Sequence, residues 1–307
     1  MRIVFMGAPD FAVLPLKKLC EQGHDVAAVV TQPDRPKGRG RKLAPPPVKE
    51  EALRLGLPVL QPENPKAPEF VEELAGFEAD VFVVIAYGHI LTKDVLALPK
   101  TMPINIHASI LPAYRGPAPI QWAIINGDAK TGVTAMRMDV GMDTGDILSI
   151  AEVEISDTDT SQTLHDKLSQ AGADLLINIL DNPDSITPSP QEHDKATYAR
   201  ALSKADGRIR WEEPAFAIER LIRGVTPWPG AFTFLDGKRM RILEARLWDE
   251  PTQAAPGTVI SSTGGVFLVA TGDGVLNITR VQGASGKPLK AEDYLRGARI
   301  DPGAKLG

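Results

Sequence analysis

The first half of the chain alternates apolar runs of strand length with segments of helical periodicity. The runs Arg2–Met6, Val26–Val30 and Val81–Ile85 are almost entirely apolar, as expected of strands buried on both faces of a sheet. Phe11–Cys20 and Val48–Leu55 carry apolar residues at the spacing of a helix face. This alternation predicts an α/β fold with a doubly wound, mostly parallel sheet of the Rossmann-like type.

A sheet of this type directs attention to the loops that follow its strands. Ligands bind outside the carboxyl ends of parallel strands, where the connecting loops meet. The loops after Met6, Ile85 and Ile106 therefore form the candidate site.

The second half of the chain follows a different pattern. The amphipathic segment Thr160–Leu180 predicts a long helix, and a stretch rich in Pro, Ser and Asp follows it. Further on, closely spaced strand candidates are separated by turns such as Asp236–Gly237, which predicts a small antiparallel β-barrel of the OB-like type. We therefore predict a first domain over residues 1–189, a linker over 190–206 and a C-terminal barrel domain over 207–307.

Composition and charge limit the class of protein. The single cysteine, Cys20, cannot form a disulfide within the chain, and no apolar run is long enough to span a bilayer. The apolar run at the N-terminus is too short for a signal sequence, so we expect a cytoplasmic protein with no membrane partner. The net charge of −5 disfavours a nucleic-acid partner weakly, but residues 208–307 carry 14 basic against 11 acidic side chains.

Asn105, His107 and Asp143 are the candidate catalytic residues. The first two stand where the sheet pattern predicts a strand end, and Asp143 stands within the later segment Gly141–Asp146. A side-chain amide can donate a hydrogen bond to the oxyanion that forms when an amine attacks a carbonyl group. An imidazole can move the proton that the amine loses, and a carboxylate can orient that imidazole and stabilise its cation. These are the groups that acyl transfer to nitrogen requires.

The same residues also allow other interpretations. Asn105 and His107 could be a hydrogen-bonded structural pair, and Gly141–Asp146 could be an ordinary polar turn. Ser109 lacks the motif of an activated nucleophile. The five histidines are scattered without paired spacing, so we expect no metal site.

The stretches Asn105–Pro119 and Gly141–Ile147 closely resemble the signature of the folate-dependent formyltransferases, which use 10-formyltetrahydrofolate. The resemblance extends along nearly the whole chain. Other segments that carry it are Met6–Phe11, Thr31–Pro36, Gly38–Gly40, Ala86–Gly88, Leu202–Lys204 and Pro227–Pro229. It implies a formyltransferase-type sheet with an OB-like domain, working as a monomer without a metal.

The resemblance also implies the roles of individual residues. Asn105, His107 and Asp143 would be catalytic, and the acceptor would be the free amino group of methionine on initiator methionyl-tRNA. The formyl-folate contacts would come from residues of two loops, namely Ser109, Ile110, Leu111, Pro112, Tyr87 and Gly88. The family usually has Leu where Ile110 stands, a mild change.

A basic segment after the second predicted strand is the candidate surface for tRNA. Its glycines at 38 and 40 allow close approach to a phosphate, and its arginines can bind phosphate through two hydrogen bonds. A solvated surface loop is the plainer explanation of such a run, but the resemblance places it against the acceptor end of the tRNA. The predicted tRNA contacts are Arg35, Lys37, Arg39, Arg41, Lys42 and Lys204.

Rival functions differ in what they require of the sequence. A formyltransferase acting on an amino sugar nucleotide would resemble both domains but would not need the basic segment. A hydrolase would release formate from formyl-folate, and a non-catalytic RNA-binding protein would not need the catalytic trio. A nicotinamide-dependent dehydrogenase is disfavoured, because Gly7–Asp10 lacks the three-glycine fingerprint. Trp211 and Trp228 either stack on bases or pack in the interior.

Overall fold

The structure is a computed structural model that describes residues 1–37, 42–284 and 286–307, with only the main chain of Lys37. The chain forms two compact units. The first comprises Met1–Pro119, Lys130–Glu154 and His165–Ala199, and the second comprises Ile120–Ala129, Ile155–Leu164 and Arg200–Gly307.

Strands and helices alternate through the first half of the chain, as predicted. In chain order they are β1 (Arg2–Gly7), α1 (Val13–Glu21), β2 (Asp25–Val30), β3 (Arg35–Lys37), β4 (Lys42–Ala44), α2 (Pro47–Arg54), β5 (Val59–Leu60), α3 (Pro68–Ala75), β6 (Val81–Ile85), α4 (Lys93–Leu96), β7 (Met102–His107), α5 (Pro119–Asn126), β8 (Lys130–Arg137), β9 (Ile147–Glu154) and α6 (Ser161–Asp181).

The first unit is built on a seven-stranded sheet with strand order β5-β2-β1-β6-β7-β8-β9. The pairs from β5 through β7 are parallel, whereas β7–β8 and β8–β9 are antiparallel. Every residue of Val81–Ile85 is buried, and so is β1 from Ile3 onward, which explains why these strands are uniformly apolar. The prediction of a mostly parallel sheet is confirmed, and the two antiparallel strands extend it beyond what sequence analysis assigned.

The remaining elements belong to the second half of the chain. They are α7 (Ala215–Gly224), β10 (Phe232–Leu235), β11 (Lys238–Trp248), β12 (Val259–Ser261), β13 (Leu268–Ala270), β14 (Val275–Gln282), β15 (Leu289–Lys290) and α8 (Ala291–Gly297).

The second unit contains an antiparallel sheet with strand order β10-β11-β14-β13-β12, and β15 also pairs with β14. Asp236 and Gly237 join β10 to β11, and both have positive φ (49° and 72°), the signature of a tight hairpin turn. Near the C-terminus, Leu306 bridges Leu235 and Lys305 bridges Thr258, so this segment pairs with both sides of the open sheet. The predicted small antiparallel barrel is confirmed as a curled half-barrel.

Two tryptophans of the second unit have contrasting environments. Trp211 is buried, and its indole N–H donates to Thr233 Oγ1 over 3.0 Å. Trp228 is 54% exposed. Trp211 is therefore a core residue, and of these two only Trp228 presents a ring for stacking.

Candidate active site

Asn105 and His107 lie on one face of β7, at its carboxyl end. Residues two positions apart on a strand point to the same side of the sheet. β7 lies between β6, where Asn105 pairs with Val84, and β8, where His107 pairs with Thr134. Both side chains are largely buried, Asn105 with 9% and His107 with 7% of its surface exposed. The strand end predicted to carry the chemistry is therefore the one that presents these groups.

The His107 ring has a contact at each nitrogen. Its Nε2 lies 3.0 Å from the carbonyl oxygen of Tyr114, and its Nδ1 lies 3.6 Å from Asp143 Oδ1. A carbonyl oxygen only accepts hydrogen bonds, so the first contact assigns a proton to Nε2. In the neutral ring Nδ1 is then the nitrogen without a proton, and the Asp143 carboxylate lies beside it.

Asp143 is held in a loop between β8 and β9. Its backbone is left-handed, with φ of 55°, and its Oδ2 accepts a hydrogen bond of 2.8 Å from the amide of Gly116. Asp139 organises the same loop by accepting bonds from the Gly141 amide and the Thr144 hydroxyl. The carboxylate thus reaches His107 from a loop that is remote in sequence.

The side-chain amide of Asn105 makes no hydrogen bond to any residue in the ranges that the structure describes. Its carbon framework is buried, but its donors stay free for a ligand. A donor held in this way costs no reorganisation when negative charge develops next to it.

The predicted folate segment Ser109–Pro112 is fixed from both sides. The Ser109 hydroxyl donates to the carbonyl of Ala113 over 2.6 Å. The Thr134 hydroxyl donates to the Ser109 carbonyl (2.7 Å) and accepts from the Leu111 amide (3.1 Å). Ser109 and Leu111 are buried, whereas Ile110 and Pro112 are half-buried, so the latter two present surface.

Tyr87 and Gly88, the other predicted folate residues, follow β6. The Tyr87 side chain lies in the core with Phe70 and Val95, and burial raises its pKa to about 12. Gly88 has φ of 80°, and a Cβ there would lie 2.4 Å from Gln32 Nε2. This side chain donates to the Tyr87 carbonyl over 2.9 Å. The turn therefore offers main-chain atoms rather than the phenol to a ligand.

A pocket of about 180 Å³ lies beside Asp143. Three of its apolar side chains are strongly exposed: Ile90 (70%), Val140 (69%) and Met142 (58%). His89 also lines it, and its buried Nε2 has no partner within the described part of the chain. Apolar walls with an unpaired polar atom suit a flat heterocycle with polar edges. The full lining is His89, Ile90, Leu91, Met136, Met138, Asp139, Val140, Gly141, Met142 and Asp143.

The predicted tRNA residues are not part of this cluster. Arg35 and Lys42 are exposed on the β3–β4 hairpin, and Lys204 is exposed at the start of a 3-10 turn in the second unit. None of these three cations has an ion-pair partner in the described ranges. Lys37 is described through its main chain alone, and Arg39 and Arg41 lie outside the described residues.

Two residues that frame the site, Arg115 and Gln191, were not predicted from the sequence. Both are buried, with 3% and 5% exposure. The Arg115 guanidinium donates to Gln191 Oε1, and Gln191 Nε2 donates to the carbonyls of Asp143 (3.0 Å) and Gly145 (2.7 Å). Arg115 stands within the motif Asn105–Pro119, but no local pattern marks Gln191.

Neither a metal site nor a membrane helix is found in the described residues. No group of three or more His, Cys, Asp or Glu side chains comes together there as a metal site would require. None of the helices described is long and apolar enough to cross a bilayer.

The chain matches two family models and many relatives. Residues 1–180 match the formyl transferase family, and residues 201–299 match the formyl transferase C-terminal domain. The methionyl-tRNA formyltransferase of Lachnospira eligens is 45% identical over 314 residues, covering 100% of both chains. That of Citrifermentans bemidjiense is 48% identical over 309 residues, covering 100% of this chain and 96% of its own length.

Solved structures share the fold at much lower identity. The N-formyltransferase from Helicobacter canadensis, in complex with folinic acid and dTDP-3-aminofucose, is 18% identical with a TM-score of 0.66, covering 93% of this chain and 99% of that one. HypX from Aquifex aeolicus, in complex with tetrahydrofolic acid, is 19% identical with a TM-score of 0.64, covering 96% of this chain and 47% of that one. At these identities the likeness establishes the architecture.

Proposed function

The chain belongs to the formyl transferase family, and from this premise we propose that it transfers the formyl group of 10-formyltetrahydrofolate to the amino group of methionine on initiator methionyl-tRNA. Relatives that carry the name methionyl-tRNA formyltransferase match it along its full length at 45% and 48% identity. The observation that carries the catalytic part is the position of Asp143 Oδ1, 3.6 Å from His107 Nδ1, at the end of the strand that also presents Asn105.

Asn105 acts on the oxygen of the transferred group. When the amine of methionine attacks the formyl carbon, the carbonyl oxygen gains negative charge. The unpaired amide of Asn105 donates a hydrogen bond to that oxygen and lowers the barrier. A single donor of this kind contributes about 3 kcal/mol in a site shielded from water.

His107 and Asp143 act on the proton that the amine loses. With Nε2 protonated toward the Tyr114 carbonyl, His107 can take a proton at Nδ1. Asp143 stabilises the resulting cation, and that cation supports the same oxyanion or returns the proton to the leaving nitrogen.

Formyl-folate binds beside these groups. When bound, 10-formyltetrahydrofolate supplies an activated formyl carbonyl. The half-buried surfaces of Ile110 and Pro112 and the main chain at Tyr87 and Gly88 line its site in this proposal, with Ser109 and Leu111 fixing the loop from beneath. The apolar pocket next to Asp143 takes the heterocycle.

The tRNA contacts are the basic residues around β3 and β4 and on the second unit. Arg35, Lys37, Arg39, Arg41 and Lys42 bind phosphates of the acceptor arm, and Lys204 binds a further phosphate. Exposed cations without protein partners, such as Arg35, Lys42 and Lys204, suit this role because no ion pair has to break before phosphate binds. Residues 207–307 form the tRNA-binding domain in this proposal.

The test is transfer of labelled formyl from 10-formyltetrahydrofolate to purified methionyl initiator tRNA. Parallel reactions contain an amino sugar nucleotide, or no acceptor. Transfer to the tRNA alone supports the proposal. Transfer to the sugar nucleotide or release of formate without acceptor would replace it with the corresponding rival function. Binding of tRNA without any transfer would indicate a non-catalytic RNA-binding protein.

A further inference from the structure

Arg115 is a buried cation without a carboxylate partner. It has 3% exposure, and no acidic side chain in the described ranges forms an ion pair with it. Its guanidinium instead donates to Gln191 Oε1 from Nε (3.2 Å) and Nη2 (2.6 Å), and Nη2 also lies 2.9 Å from His193 Nδ1. Burying a charge is costly unless its hydrogen bonds are satisfied, so this arrangement needs an explanation.

The two neighbours of Arg115 in sequence both contact the catalytic groups. The carbonyl of Tyr114 lies 3.0 Å from His107 Nε2, and the amide of Gly116 donates to Asp143 Oδ2 over 2.8 Å. The Arg115 main chain is itself paired with Thr197 and Ala199. Residues 114–116 therefore connect the imidazole to the carboxylate.

Gln191 completes the connection through its amide. Its Nε2 donates to the Asp143 and Gly145 carbonyls, so it holds the main chain that carries the carboxylate. Asp143 and Tyr114 both have left-handed backbones, with φ of 55° and 60°. Residues other than glycine keep such a conformation only where the surroundings fix it. The bonds from Gln191 supply that restraint at Asp143.

We propose that Gln191 is a positioning residue for formyl transfer, which holds Asp143 beside His107, and that Arg115 fixes the orientation of the Gln191 amide. Only an amide meets both requirements, because it accepts from the guanidinium at one end and donates to two carbonyls at the other. The inference rests on the proposed function for its kinetic consequences.

Gln191→Glu is the discriminating substitution. It conserves volume and gives Arg115 a charged partner, but it turns the two donors toward Asp143 and Gly145 into acceptors. We expect kcat to fall about 10- to 100-fold as Asp143 moves away from the ring. The KM values for formyl-folate and methionyl-tRNA should change by less than about twofold. Gln22→Glu, which adds the same charge at an exposed helix end, should behave as wild type.

A double-mutant cycle with Asp143→Ala separates positioning from a general structural role. If Gln191 acts through the Asp143 carboxylate, Gln191→Glu should reduce kcat by less than about twofold once that carboxylate is absent. An undiminished loss in the Asp143→Ala background, or equal losses in kcat and affinity, would overturn the proposal.

Two further measurements keep the test independent of folding and of the assigned substrate. If Gln191→Glu does not fold, the double variant Arg115→Met/Gln191→Met removes the buried cation together with its partner. This double variant then takes the place of Gln191→Glu in the cycle with Asp143→Ala. If wild type transferred no formyl to methionyl-tRNA, the proposed function would fail. NMR resonances of the His107 ring in wild type and Gln191→Glu would still show whether Gln191 holds Asp143 in place, and unchanged resonances would refute it.

Discussion

The catalytic loops and the β3–β4 hairpin belong to the same compact unit but differ in burial and in how their side chains are held. Asn105 and His107 are buried and Asp143 is half-buried, and their loops are cross-linked by hydrogen bonds from Gly116 and Gln191. Arg35 and Lys42 on the hairpin are exposed.

The contrast follows from what each region has to do. A group that stabilises developing charge must be in place before reaction, so its position is fixed by the fold. A cation that binds a phosphate gains from release of counterions and tolerates variation in geometry. We therefore expect substitutions in the catalytic loops to cause large losses of kcat. Substitutions in the hairpin should cause graded losses of tRNA affinity that depend on salt concentration.

The largest effect is expected from His107→Ala. Loss of the ring removes both the proton acceptor and the group that Asp143 orients, and kcat should fall by about 10³-fold. Single-turnover transfer of labelled formyl measures the chemical step. His165→Ala, a histidine of the same unit outside the site, should retain activity. Near-wild-type turnover in a folded His107→Ala protein would remove the imidazole from the mechanism.

Asn105→Ala should reduce kcat by about 10²- to 10³-fold. Only one hydrogen bond to the oxyanion is removed, and the proton-transfer pair stays in place. Asn178→Ala, on an exposed position of α6, is the matched control. A variant that raised KM for formyl-folate while keeping kcat would show that Asn105 binds the ground state instead.

The candidate catalytic residues could be named from the sequence because their signal is local, but the spacing alone left a structural pair and a polar turn open, and the resemblance to the formyltransferases decided between them. Asn105 and His107 are separated by one residue at the end of an apolar strand, and Asp143 stands in a compact polar turn. The buried strands β1, β2 and β6 were also recognisable, since strands covered on both faces are apolar at every position.

The network that orients the trio was not predictable in the same way. Gln191 lies in the segment 190–206 that we predicted as a linker, and its role depends on bonds to Asp143 and Gly145, more than 40 residues away. Its local composition of Pro, Ser and Asp is typical of a loop. Strand β9 was missed although half of its residues are large and apolar, because it is an edge strand with alternating burial and lacks the continuous apolar run of the buried strands.

The basic segment around β3 and β4 gives the next prediction. Replacing Arg39, Arg41 and Lys42 together with Ala should weaken tRNA binding by at least about 10-fold at low salt. The dependence of log Kd on log salt should flatten by roughly 0.7–0.9 for each phosphate that is no longer neutralised. The KM for formyl-folate should not change.

A charge-matched control sharpens this test. Replacing Lys17, Lys66 and Lys100 with Ala removes the same number of cations from other parts of the surface. The salt dependence of tRNA binding should then stay close to that of wild type. If both triple variants flattened it equally, binding would reflect overall charge, and the hairpin would lose its assigned role.

The smallest effect is expected from a substitution at Tyr87. This residue was predicted to contact folate, but its side chain lies in the core. Its hydroxyl is buried without a hydrogen-bond partner among the described residues. Tyr87→Phe should therefore leave kcat and the KM for formyl-folate within about twofold of wild type. If the hydroxyl bound folate, its loss would raise that KM.

Alkaline unfolding of the same variant tests the burial itself. Burial raises the pKa of Tyr87 from 10 to about 12, so the folded state resists ionisation that the unfolded chain undergoes. The stability contributed by the neutral phenol is fully present below pH 10 and is lost as pH rises toward 12. Because phenylalanine does not ionise, Tyr87→Phe should lose less stability than wild type across that interval in chemical denaturation. Parallel losses in the two proteins would mean that the phenol reaches solvent, and the turn after β6 would then present its side chain, not only its main chain, to the folate pocket.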